Sequence, residues 1–401
     1  MEFEITQKLK KSKARLGVIT TPHGKIHTPY FIPVATAATV RALDQEDMNS
    51  LGAEVLLANT YHLHLRPGDE IIRKLGGLHK FMNWNKPLFT DSGGFQAFSL
   101  GYGMEHSINK LGNIFPGGKK YLERASKFAT VDDNGATFKD PSSGKTIHLN
   151  PKKSIEIQQN LGADIILALD ECTSPLSDYE YTKKAMERTH RWAKESLDHH
   201  NKKKSKTKQS LYGIIQGGEY LDLRLESAKF ISSLGFDGIA IGGALGKSKK
   251  DMHKIINWVI PLLPESKPRH LLGIGNIEDL FECVERGIDT FDCVAPTRIA
   301  RRGALFISPE SGGKLINKFR LNIDNAKYKI DKKPIDKNCG CLACKNYSRA
   351  YLSHLYRSKE LAYYRLASLH NINFMLKLME EIRDSINAPS FYKLKKKWVG
   401  N

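Results

Sequence analysis

LYGIIQGGEYLDLRLESAKFISSLGFDGIAIGG (211–243) reads as one strand–helix–strand unit. Its two ends, LYGIIQ (211–216) and DGIAIG (237–242), are short apolar runs without polar alternation. Strands covered on both faces read this way. Between them GEYLDLRLESAKFISSLG sets apolar residues at helical spacing and stops at Gly235, the expected C-cap. A helix that returns the chain to a parallel neighbour is the repeating element of α/β folds.

The same alternation recurs on both sides. FIPV (31–34), EVLLAN (54–59), PLFTD (87–91), ADIILALD (163–170), HLLGIG (270–275) and DTFDCV (289–294) complete a set of eight strand-like runs. SIEIQQNLG after Pro151, DYEYTKKAMERTHRWAKESLDHH, DMHKIINWVIPLL and NIEDLFECVERG supply further helices. Eight strands with intervening helices predict an α/β fold, a (β/α)8 TIM barrel forming a single catalytic domain over 1–401. The rival is an open doubly wound sheet. GVITTPHGKIHTP near the N-terminus alternates like a hairpin. Residues 101–150 are too long for one strand–helix loop, and FKDPSSGKTIHLN at their end has a hairpin pattern. They are read as an insertion in a βα loop.

With 401 residues, of which 40% are hydrophobic, the chain can bury a sizeable core. No apolar run is long enough for a membrane span, and MEFEITQKLKKSKARLG lacks the apolar segment of a secretory signal. A cytoplasmic location is expected. The formal charge of +19 favours polyanionic partners. The lysine runs NKKKSKTK (201–208) and KLKKKW (393–398) are read as solvated surface or tail.

Polar residues gather where the strand-like runs stop. Asp91 ends one, Asp170 and Glu171 another, Gln216 a third, Gly242 and Gly243 a fourth, and Asp292 lies at the end of a fifth. A lone acid in such a place commonly caps the next helix. Several beside glycines fit an active site at the strand ends of a barrel better. Two carboxylates facing a glycosidic bond can run a double displacement, one attacking the anomeric carbon and the other carrying the proton. Gly93 and Gly94 are expected to let a flat ring approach, Phe95 to stack on it, and Asp170 with Gln216 to read its edge. Such a pocket suits a purine swung out of an RNA stack.

Cys339, Cys341 and Cys344 form a C-x-C-x2-C cluster, with His370 26 residues after the last cysteine. A Cys3His set is suited to a closed tetrahedral, structural Zn2+ site. The zinc-binding subdomain is placed at about 310–375, with His354 as an alternative fourth ligand. Cys172, Cys283 and Cys293 are scattered, which argues against a disulfide framework.

FTDSGGFQ, DECTSP, GIIQGG, FDGIAIGG, DTFDCVAPTR-x-ARRG and the cysteine–histidine cluster, in this order, resemble the tRNA-guanine transglycosylases, or queuine tRNA-ribosyltransferases, of the bacterial type. The resemblance runs from roughly residue 5 to 385. It implies a (β/α)8 barrel with an inserted zinc subdomain, working as a homodimer. It also implies replacement of guanine at the wobble position of tRNAs with a GUN anticodon by a free 7-deazaguanine base, queuine or its precursor preQ1. On the matching positions, Asp292 is the expected nucleophile and Asp91 the general acid/base. Ser92, Phe95, Asp170, Gln216, Gly243, Ala244, Gly246 and Leu272 are the expected base pocket, and Arg298, Arg301 and Arg302 the expected RNA contacts.

Three departures from the family pattern stand out. The 101–150 segment is longer than usual. IGGALGKSKKDM replaces the commoner GGLAVGE, so that Gly246 stands where many bacterial members carry valine; a smaller residue there is expected to widen the pocket towards queuine. The acid of GGE is absent, which bears on recognition of a cationic aminomethyl group. Two other readings compete with exchange. A non-catalytic RNA-binding partner would not need both aspartates, and a hydrolase using water would not need the base-reading residues. The archaeal relatives that act on the tRNA core usually carry a further C-terminal domain.

Overall fold

The structure is a computed structural model and describes residues 1–95, 129–140, 143–202 and 208–400. The fold is α/β, of the (β/α)8 barrel class. Nine strands make the main sheet: β1 (Tyr30–Ile32), β2 (Val34–Ala35), β3 (Leu56–Ala58), β4 (Leu88–Thr90), β5 (Ile165–Leu167), β6 (Ser210–Ile215), β7 (Gly238–Ile241), β8 (Arg269–Leu271) and β9 (Thr290–Asp292). Their order is β1-β9-β8-β7-β6-β5-β4-β3-β2. All eight strand-like runs of the sequence contribute to it, FIPV being divided between β1 and β2. Strands β4 to β8 pair in parallel with their sequence neighbours, Ile214 opposite Ala240 and Ile241 opposite Leu271, for example. Every residue of these five strands is buried, as a parallel sheet covered on both faces requires.

The helices form where the apolar spacing puts them. Pro151 opens the helix Pro151–Leu161, Asn150 caps it, and Gly162 ends it in a left-handed conformation. Tyr179–Lys202, Lys249–Val259 and Ile277–Glu285 follow the other patterns. One boundary differs. The helix Leu221–Ser233 is closed by Leu234 in extended backbone, and Gly235 plays no left-handed capping part. The chain there turns straight into β7 through the Asp237 N–H to Leu211 carbonyl bond (2.9 Å), so no Schellman-type turn is needed.

By main-chain packing the residues fall into two compact units. The first comprises Met1–Glu4, Ile19–Lys25 and Leu57–Leu272. Beside its sheet, Gly135–Lys139 and Thr146–Leu149 form the expected antiparallel hairpin, joined by Ala129–Asp132. The rest of the expected 101–150 insertion, residues 101–128 with 141 and 142, lies outside the described residues, as do 203–207 of the first lysine run. At the start of β5, Asp164 ties several segments together. Its carboxylate bonds His23 Nδ1 (2.6 Å) and the Leu88 N–H (2.9 Å), with His79 Nε2 at 3.2 Å. The two imidazoles stack with centroids 3.6 Å apart and planes at 17°. Their lone pairs therefore run side by side and do not converge, which suits a hydrogen-bonded clamp better than a metal. Burial alone would raise the Asp164 carboxyl, but hydrogen bonds from His79, His23 and the Leu88 N–H outweigh it and hold the group below the usual range.

That clamp gives a stability prediction. A lowered folded pKa means the contribution is fully present above the unfolded value, about pH 4, and is lost as pH falls through the lower folded one. Asp164→Asn is expected to cost about 2–3 kcal/mol at pH 7, because the Leu88 N–H and the histidines lose a charged acceptor. Urea unfolding at pH 7 and pH 3 checks it: the difference between variant and parent should shrink at the acid end.

The second unit comprises Ile5–Val18, Ile26–Leu56 and Gly273–Asn401. In it β9 pairs in parallel with β1, Asp292 opposite Ile32. Arg15 and Asp289, both buried, form a two-pronged ion pair (2.8 and 2.6 Å) under that strand pair. A ribbon of Ala304–Phe306 and Arg320–Asn322 packs on the long helix Leu361–Asn387, whose Asn371 bonds the Phe306 N–H, Pro296 O and Ala304 O. The second lysine run is not a tail. It lies in the helix Phe391–Val399, with Lys395 2.6 Å from both Glu282 and Glu285, Lys397 2.6 Å from Glu310, and Phe391 and Trp398 buried. Its alternation of lysines with Phe391, Trp398 and Val399 is that of an amphipathic helix. Among the described residues no helix is long and apolar enough to cross a membrane.

Candidate active site and metal centre

Strand ends carry the chemistry-bearing residues of the first unit. Asp91 follows β4 and is half-buried. Its Oδ1 accepts the Thr60 N–H at 2.9 Å and its Oδ2 accepts from Asn59 Nδ2. Asn59 also caps the helix Thr60–Leu65 by accepting the His62 N–H at 2.9 Å. One short segment after β3 therefore both starts a helix and supplies donors to the carboxylate. Donors on a carboxylate favour its charged form.

Asp170, at the end of the β5 segment, is buried and aims at two other side chains. Oδ1 accepts from Ser92 Oγ (3.2 Å) and Oδ2 from Gln216 Nε2 (2.6 Å). Because the carboxylate takes the amide N–H, the orientation of Gln216 is fixed. Its Oε1 is buried and has no hydrogen-bond partner among the described residues. A buried acceptor left unpaired costs roughly 1–3 kcal/mol, so this oxygen has a use for an N–H brought by a ligand. Glu171, adjacent in sequence, has a different task. It pairs with Arg188 and accepts from Tyr181 Oη (2.7 Å), while Arg188 also reaches Asp133 of the hairpin at 3.0 Å.

The glycines serve protein packing. A Cβ on Gly94 would lie 2.5 Å from the Asp170 carbonyl oxygen, and one on Gly243 2.0 Å from Gln216 Oε1. Gly94 therefore brings the β4 end against Asp170, where the sequence suggested room for a ring. Gly246 differs most from expectation. Its φ is +82°, and a Cβ there would lie 2.2 Å from Cβ of Asp251, which with Ser248 forms the capping box of Lys249–Val259. The space left by the missing side chain is already filled, and the backbone alone calls for glycine. The widened pocket expected at Gly246 has no support in this geometry. Of the other pocket candidates, Ser92 and Ala244 are buried, Leu272 is half-buried with Cδ1 near Gly242, and Phe95 is exposed.

In the second unit Asp292 is half-buried at the end of β9, and its Oδ1 accepts the Gly273 N–H at 2.9 Å. Arg298 sits on the helix Ala295–Ala300, with Arg301 and Arg302 just beyond. Burial, then the charges of Arg41, Arg298 and Arg302, pull the Arg301 guanidinium below its ordinary range. None of these four arginines has an acidic partner among the described residues. Arg41 was not foreseen; nothing in VRALDQ marks it without the fold.

The metal centre is fully assembled. The donor atoms of Cys339, Cys341, Cys344 and His370 all lie within 4.8 Å of one another. His370 Nδ1 is 3.6, 3.6 and 3.3 Å from the three sulfurs. A tetrahedral zinc with ordinary bond lengths puts S and N about 3.6 Å apart. His370 is buried, and its Nε2–H donates to the Phe306 carbonyl at 2.7 Å, which leaves Nδ1 free of a proton and facing the sulfurs. Asn373 Nδ2 lies 3.3 Å from Cys339 Sγ. His354 is exposed and stands outside the group, so the histidine that clusters with the three cysteines is His370.

Comparison with known proteins gives the family. A family model described as queuine tRNA-ribosyltransferase matches residues 10–401. A "Putative queuine tRNA-ribosyltransferase" of Archaeoglobus fulgidus is 58% identical, over 100% of this chain and 99% of its own length. A "Queuine tRNA-ribosyltransferase" of Caldanaerobacter subterraneus is 44% identical over 100% and 98%, and one of Bacillus subtilis 44% over 96% and 92%. With the motifs in order, the strand-end residues in place and the match running over nearly its entire length, the chain belongs to the queuine tRNA-ribosyltransferase family.

Proposed function

We propose that the chain is a tRNA-guanine transglycosylase, a pentosyltransferase that replaces guanine 34 of GUN-anticodon tRNAs (Asp, Asn, His, Tyr) with a free 7-deazaguanine in queuosine modification. The observation that carries the reading is the Asp170–Gln216 pair, a buried carboxylate that orients an amide whose oxygen has no partner among the described residues. A purine edge rich in N–H groups answers both. Ser92, Phe95, Gly243, Ala244, Gly246 and Leu272 would complete the pocket, with Gly246 acting through its backbone alone.

In the proposed chemistry an Asp292 carboxylate oxygen attacks C1′ of nucleotide 34 as the bond to guanine N9 breaks. The electron pair leaves with the base, which takes a proton from Asp91. The incoming base then returns a proton from N9 to Asp91, and its N9 displaces the Asp292 oxygen from C1′. Asn59 and the Thr60 N–H would hold the Asp91 carboxyl in one orientation for both proton transfers. Arg298, Arg301 and Arg302, with Arg41, would hold anticodon phosphates. The metal of the Cys3His centre is Zn2+, filling a closed structural site, and the working form is a cytoplasmic homodimer.

The test is exchange of labelled guanine out of a GUN tRNA by queuine and by preQ1 in competition. Incorporation of either base supports the reading, and release of guanine without incorporation of any base would falsify it in favour of a hydrolase. Asp170→Asn is expected to raise the base KM by about 10²-fold, since it removes one charge-assisted bond and frees Gln216. An unchanged base KM would exclude Asp170 as a reader.

A further inference from the structure

Arg224 lies in the first turn of Leu221–Ser233 and has no exposed surface. All its hydrogen bonds go to main-chain carbonyls at two strand ends. Nε donates to Gly218 O (2.8 Å), Nη1 to Ile215 O (3.2 Å) and Gly242 O (3.0 Å), and Nη2 to Ala244 O (2.7 Å). The first two acceptors bracket Gln216 and the last two bracket Gly243. A buried cation is expensive, and here carbonyl dipoles offset the cost where a carboxylate usually would. Burial pushes the guanidinium down to about 9, still cationic at neutral pH.

We infer that Arg224 is a positioning residue for base recognition: its guanidinium fork locks the β6 and β7 strand-end loops together, and so sets Gln216 and the Gly243–Ala244 backbone for a purine. This rests on the proposed function, because it presumes that those loops form the pocket. The fork matters as much as the charge. A lysine would bring donors from one point and could not reach carbonyls on both loops at once. With Ile215 and Gly242 joined through one nitrogen, a shift of either loop moves the other.

The experiment uses the full-length zinc-loaded protein and two variants, Arg224→Lys and Arg224→Gln. Three quantities are read: KM for guanine in the exchange reaction, KM for tRNA, and amide hydrogen exchange at 215–218 and 242–245. In Arg224→Lys, guanine KM is expected to rise by about 10²-fold, the loss a misplacement of about 1 Å brings, with tRNA KM nearly unchanged. The two loops should exchange faster while the β7 interior stays protected. A folded Arg224→Lys with parental guanine KM overturns the inference. So does a parallel rise of both KM values with a lowered melting temperature, or failure of both variants to fold, since Arg224 would then serve the fold alone. If the parent protein exchanges no base, the proposed function fails; faster exchange of both loops in Arg224→Lys would still uphold the fork, and unchanged exchange would reject it.

Discussion

Asp292→Ala is expected to abolish base exchange and to leave the protein folded. Substitutions of a covalent nucleophile cost about 10⁴-fold or more in kcat, because the remaining groups cannot hold the sugar between the two half-reactions. Asp292 is half-buried, and its Oδ1 accepts the Gly273 N–H at a loop. Its removal is expected to shift unfolding by less than about 1 kcal/mol. The two effects can be separated by measuring exchange and urea unfolding on the same preparation. A second measurement isolates the chemistry. In single turnover the parent protein should yield an RNA adduct that survives denaturant, and Asp292→Ala should yield none. Full activity in the variant would remove Asp292 as nucleophile, and absence of any adduct in the parent would count against the double displacement.

Asp91 and Asp292 stand in different chemical settings, and this bears on their roles. Asp91 has two donors, from Asn59 and Thr60, that hold its carboxylate in one orientation. The donor identified for Asp292 is the Gly273 main chain. A group that must give up and regain a proton benefits from a fixed hydrogen-bonded frame, whereas a nucleophile needs an oxygen able to reach carbon.

How far the sequence could be read depended on the range of the interactions involved. Strands β4 to β7 were legible because burial on both faces leaves short, mainly apolar runs, and those of β4, β5 and β6 lead to Asp91, Asp170 and Gln216. The metal ligands were legible because three of them lie within six residues and few other tasks need that spacing. Gly246 was misread because the sequence shows a missing side chain but not its direction, which here is towards Asp251. KLKKKW is surface, as read, with Lys393, Lys396 and Lys397 exposed, but it is helix and not tail, and the pairing of Lys395 and Lys397 with Glu282, Glu285 and Glu310, all distant in sequence, could not be seen locally. Arg224 and Asn59 escaped notice for the same reason. An arginine in a helix and an asparagine after a strand are ordinary locally, and only the loops they bridge give them a part in the site.

Cys341→Ser is expected to have the second large effect, on stability and not on chemistry. The four donors of the centre come from the 339–344 segment and from His370 on the helix Leu361–Asn387, with His370 anchored to the Phe306 carbonyl. Zinc bound there would fasten the cysteine loop to a helix that also holds the Ala304–Phe306 ribbon through Asn371. Structural zinc sites contribute on the order of 10–16 kcal/mol of apparent binding energy at neutral pH, comparable to the whole stability of a domain. Loss of one thiolate should release most of that, lowering the melting temperature by about 10 °C or more and leaving less than stoichiometric zinc by elemental analysis. Because all four positions are taken by protein, the metal has no open site for substrate, and kcat per zinc-loaded molecule should match the parent. His354→Ala serves as the control, exposed and outside the cluster, and should change neither zinc content nor melting. If Cys341→Ser kept full zinc and parental melting, or if the parent protein carried no zinc, the structural clip would be ruled out. If the variant stayed folded but lost kcat per bound zinc, the metal would have a part in catalysis that a closed Cys3His centre does not allow.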